Sequence, residues 1–185
     1  MKNFQARIKQ VQEALKKQNL SAALVMSPSV SCYLSGCYLL TQTVIPERQA
    51  YVLVTADGRV SYIVCNIEEH SARQESWIEE IVTYVEFIQT PAQAVAALLR
   101  DAGLTATQIG VESHAMPAAT WQFLREDLPN NQYLPFDKPL TEIMMLKDEA
   151  EIDAQLKPVA TLKTIISQIH QIEANESVGY NRAFK

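Results

Sequence analysis

Asp57 and Gly58 stand between two β-rich runs, Ala50–Thr55 and Arg59–Cys65, and this stretch constrains the fold more than any other. Asp-Gly between strand-forming runs is a strong hairpin signal, because both residues tolerate the positive φ of a tight turn. An antiparallel pair therefore belongs to whatever sheet the chain builds. Around it, strand-like segments alternate with helical ones. That pattern indicates an α/β layered domain with a mixed sheet flanked by helices.

Phe4, Ile8, Val11 and Leu15 form one stripe of an amphipathic helix, with Asn19 as its stop. Ala22–Met26 reads as a short buried strand. Ser27-Pro28 opens a second helix, proline being suited to a first turn, and Gly36 caps it. Gly36–Gln49 has no period and reads as a long loop, a kind of segment that often carries function. Beyond the hairpin, Ile67–Ser76 is polar and helical in character, and Ile81–Phe87 alternates as a strand. Thr90-Pro91 caps a helix through Leu99 that ends at Gly103. Gln108–Glu112 is a further strand and Pro117–Leu128 a further helix. Tyr133–Met145 is expected to be extended, broken by Pro135 and Pro139.

The 185 residues suffice for one domain with an appendage. A hydrophobic fraction of 48% with 20% charged residues is that of a globular chain rather than a disordered one. The net charge of −5, with no Lys/Arg cluster beyond Lys16–Lys17, argues against a nucleic-acid-binding face. The N-terminal MKNFQARIKQVQEAL has no continuous apolar run, so neither a signal peptide nor a membrane span is expected, and the cytoplasm is the default location. Cys32, Cys37 and Cys65 read as core thiols, their spacing being unsuited to zinc.

Other chemistry-bearing residues take structural readings. His70 falls on a solvated helix face, and His114 in a loop touching solvent. Trp77 and Trp121 suit the packing of helices on the sheet. Glu79 and Glu80, adjacent on a strand, face opposite ways. Asp148, Glu149 and Glu151 suit the start of a helix, where negative charge is favourable.

Five stretches in order resemble the N-terminal domain of the creatinase/prolidase/aminopeptidase P (Xaa-Pro peptidase) family. They are SPSVSCYLSG, AYVLVTADGRVSYIV, ARQESWIEEIVTYVEF, IGVESHAMPAATWQFL and LTEIMMLKDEAEID, which span about residues 4–153. The resemblance implies a ribonuclease-H-like mixed sheet flanked by helices. It implies a non-catalytic, cytoplasmic accessory domain that helps form a dimer. Chemistry in that family belongs to a following domain, which binds two divalent metals (Mn, Co or Zn) through two Asp, one His and two Glu. No counterpart of those five ligands is expected in this chain, so no hydrolysis of Xaa-Pro bonds is expected from it alone. By position, the family loop that reaches a neighbour's active site corresponds to Tyr38–Gln49. Tyr38, Glu47 and Arg48 are its candidates for meeting substrate.

From Gln155 the text changes, giving a division into 1–153 and 154–185. LKPVATLKTIISQIHQIEANESVGYNRAFK is similar to the start of the C-terminal domain of the alanine racemases. That resemblance implies β character, pyridoxal phosphate chemistry in the parent family, and a match between Tyr180 and the racemases' catalytic tyrosine. No Schiff-base lysine domain precedes it, so Tyr180 is not expected to be active. Leu162, Ile165, Ile166, Ile169 and Ile172 also fit a helical stripe, and Pro158 would interrupt a helix running on from Asp148.

Three functions follow. The first is an accessory and dimerisation domain of an Xaa-Pro peptidase, partnered by a second copy or by a catalytic peptidase domain. The second is a fusion or truncated protein with a binding role. The third is an active enzyme, which the missing apparatus disfavours. No cofactor, nucleic acid or membrane partner is expected for the chain itself.

Overall fold

The structure, a computed structural model, describes residues 3–147 together with Glu149, Glu151 and Ile152. The chain divides into two units, Met1–Ile152 and Asp153–Lys185, and the described residues all lie in the first. The expectations for Gln155–Lys185, with its β character and Tyr180, and for Asp148 fall outside the described residues.

Helix α1 (Phe4–Lys17) buries Ile8, Val11 and Leu15, as the stripe predicts. Asn3 caps it by accepting the Ala6 N–H at 3.1 Å, and Asn19 ends it at φ +56°. Strand β1 (Ala22–Val25) leads to α2 (Pro28–Ser35), whose Ser27 hydroxyl accepts from Val30 N–H. Gly36 closes α2 at φ +80°. A side chain there is doubly unwelcome, since its Cβ would lie 2.7 Å from the Phe4 ring. That ring stacks on Trp77, whose indole N–H donates to the Leu34 carbonyl at 2.7 Å.

Strands β2 (Tyr51–Thr55) and β3 (Val60–Cys65) pair antiparallel across the Asp57-Gly58 turn. A 3-10 turn (Asn66–Glu68) and α4 (Glu69–Glu75) lead to β4 (Glu80–Tyr84). Then come α5 (Pro91–Asp101), β5 (Gln108–Val111) and α6 (Ala118–Asp127). Thr90 and Gln93 form the capping box that fixes the start of α5.

The sheet order is β4-β3-β2-β1-β5, with a sixth strand, β6 (Gln132–Pro135), beyond β5. β2 pairs antiparallel with β1 and β3, and the other pairs are parallel. The expected mixed sheet flanked by helices is what the chain builds. Its central strands are buried along their whole length because helices cover both faces. Val25, Val52, Val54 and Tyr62 face the core shared with α1 and α2. Leu24, Leu53, Ile63 and Ile109 face the core under α5 and α6.

Three expectations are corrected. Inside the segment expected to be a loop lies a short helix, α3 (Leu40–Val44), which buries none of its residues and so leaves no apolar stripe to read. The segment expected to run extended to Met145 instead forms β6 and then α7 (Asp137–Met145). Pro139 falls in the first turn of α7, where a missing N–H removes no intrahelical bond. Leu140 and Ile143 bury the inner face of that helix. Finally, β4 stops at Tyr84 rather than Phe87, and Phe87 itself sits at φ +66°.

Candidate functional site

Two places on the unit gather functional chemistry. The first is the end of the sheet where the α3 segment meets the turn after β4. The Arg48 guanidinium donates from Nε and Nη2 to the two oxygens of Glu86, at 2.8 and 3.2 Å. The Tyr84 hydroxyl donates to the Gln49 carbonyl at 2.9 Å, and Thr41 Oγ1 donates to Glu68 at 2.5 Å. Asn66 Oδ1 accepts the Glu86 N–H at 3.2 Å. These bonds stitch the α3 segment, the 3-10 turn and the end of β4 into one surface.

The segments so joined also carry exposed apolar side chains: Tyr38, Leu40, Val44, Ile67 and Val85 are exposed, and Phe87 and Ile88 are 98% and 83% exposed. Apolar groups grouped on an otherwise polar surface mark a place of contact. Phe87 adds a second sign, because a bulky side chain at positive φ is strained and such strain persists where function retains it. Of the three loop candidates, Tyr38 and Glu47 are exposed, whereas Arg48 is engaged by Glu86. Arg48 would meet a substrate terminus only by giving up that carboxylate.

The second place lies beyond the carboxyl ends of the parallel strands β1, β5 and β6, where α/β sheets commonly hold ligands. Glu112 follows β5 directly and is wholly buried. Its Oε2 accepts the backbone N–H groups of Met26 and Ser27, at 2.9 and 2.8 Å. Its Oε1 has no hydrogen-bond partner. Opposite stands His114, with Nε2 3.6 Å from Oε1 and Nδ1 2.5 Å from Asp137 Oδ1. Asp137 also accepts from Ser113 Oγ and from the His114 N–H. Burial works to raise the Asp137 pKa, but the hydrogen bonds from Ser113 and His114 outweigh it and hold it down to about 2. Glu112 and His114 line a cavity of about 520 Å³ with Ser29, Val30, Met144 and Lys147.

The sequence placed His114 in a solvent-touching loop, and it is indeed exposed, but nothing in its local text announced the two carboxylates around it. Glu112 and Asp137 were missed as site residues, because only the fold brings the end of β5 to the first turn of α7. His70 is exposed on α4, as expected. Trp77 and Trp121 pack at the edges of the two cores. Glu79 points to solvent, while Glu80 accepts from Arg59 and from Ser61 Oγ, the latter at 2.7 Å. Glu151 pairs with Arg7 at 3.2 Å. Cys37 and Cys65 are buried and Cys32 partly so, all three as free thiols. Among the described residues no three His, Cys, Asp or Glu side chains converge on a metal position, so the paired metals of an Xaa-Pro peptidase find no fit there. No helix among the described residues is long and apolar enough to cross a membrane.

A six-stranded mixed sheet with helices on both faces and a hairpin at its centre defines the class: a three-layered α/β/α domain. The chain belongs to the Creatinase/Prolidase N-terminal domain family, whose sequence model matches residues 7–145. Similar solved structures include a proline dipeptidase from Streptococcus pneumoniae, with a TM-score of 0.65 and 21% identity over 76% of this chain and 98% of that one. The creatinase/prolidase N-terminal domain of an X-Pro dipeptidase from Streptococcus pyogenes gives 0.63 and 20%, over 74% and 98%. An Xaa-Pro dipeptidase from Bacillus anthracis gives 0.67 and 16%, over 82% of this chain but 38% of that one. At such identities the likeness is one of fold. No curated protein matches the chain.

Proposed function

We propose that the unit ending at Ile152 is a non-catalytic accessory domain of a cytoplasmic Xaa-Pro-peptidase-type protein, and that it serves assembly by pairing with a second copy. The observation that carries this reading is the stitched apolar surface of Tyr38, Leu40, Val44, Phe87 and Ile88. Water gains little from such a face, and its burial against a like face stabilises a pair by about 25 cal/mol for each Å² covered. Tyr38 and Glu47 then stand at the boundary with the neighbour, where they meet that neighbour's substrate, and Arg48 braces the loop that carries them.

Docking onto a catalytic peptidase domain is the second reading. It is favoured by the Bacillus anthracis relative, of which this chain spans 38%. Sedimentation velocity over a range of concentrations separates the two. Self-pairing requires a concentration-dependent shift from monomer to dimer that Leu40→Ser with Ile88→Ser removes. A chain that stays monomeric throughout contradicts it. Turnover of an Xaa-Pro dipeptide by the chain with manganese or cobalt, abolished by a chelator, would contradict the non-catalytic assignment.

A further inference from the structure

We draw no further inference here: the strongest candidate, the cavity beyond the carboxyl end of β5 lined by Glu112, His114 and Lys147, belongs to the site already described, where Glu112 pairs with His114 at 3.6 Å and nothing else among the described residues points to a ligand.

Discussion

The Arg48 guanidinium grips Glu86 with two hydrogen bonds, and this one pair joins the α3 segment to the turn that exposes Phe87. Paired N–H groups on a carboxylate fix direction as well as distance. The apolar surface is thereby held in register by a charged brace beneath it. Removing the brace tests whether the surface depends on it. Arg48→Ala is expected to speed amide exchange across residues 38–49 and 85–89 while leaving the central strands unchanged. Equal exchange in both proteins would show that the brace is idle.

Gly110 is closely hemmed in by the core. A Cβ there would lie 2.9 Å from Phe136 Cβ and 3.1 Å from a Leu20 methyl. Phe136 Cβ sits close to its own backbone and has little room to give. Gly110→Ala is expected to destabilise the domain by about 1–3 kcal/mol, read from urea midpoints. An unchanged midpoint would show that β5 and Phe136 are further apart than described here.

Asp137 sets an acid limit. Its folded pKa is depressed to about 2, below the usual 3.8, so it stabilises the fold above the unfolded value and loses that effect as pH falls through the folded one. Urea midpoints should therefore decline between about pH 5 and pH 2, and decline less steeply in Asp137→Asn. The sign would be wrong if the variant lost more stability on acidification than the native chain.

Burial pushes the Cys37 thiol up to about 12, with Glu75 nearby reinforcing the shift. Since the thiolate is the reactive form, Cys37 should stay unmodified by a disulfide reagent at pH 8, as should the buried Cys65. Cys32, partly exposed, should react alone until denaturant releases the other two. Rapid reaction of Cys37 in the native protein would contradict its placement.

The legible parts of the fold were those written in local chemistry. Ser27, Pro28 and Gly36 announce α2, because a cap, a first-turn proline and a left-handed stop act within a few residues. Asp57-Gly58 announces the hairpin in the same way. Helix α7 was hidden because Pro139 looks like a breaker unless the helix start is known, and Phe136, Leu140 and Ile143 make too short a stripe. Site chemistry was harder still. Glu112 finds its amide donors at Met26 and Ser27 across the sheet, a relation with no trace in neighbouring residues. The loop at Tyr38–Gln49 was found as a segment, but its apolar character needed Phe87 and Ile88 brought beside it.

Assembly through the stitched surface is tested most directly by amide exchange in the native chain at low and at high protein concentration. Protection that appears only at high concentration, confined to residues 38–45 and 85–89, is the predicted result. Identical exchange at both concentrations, or new protection on another face, would contradict it.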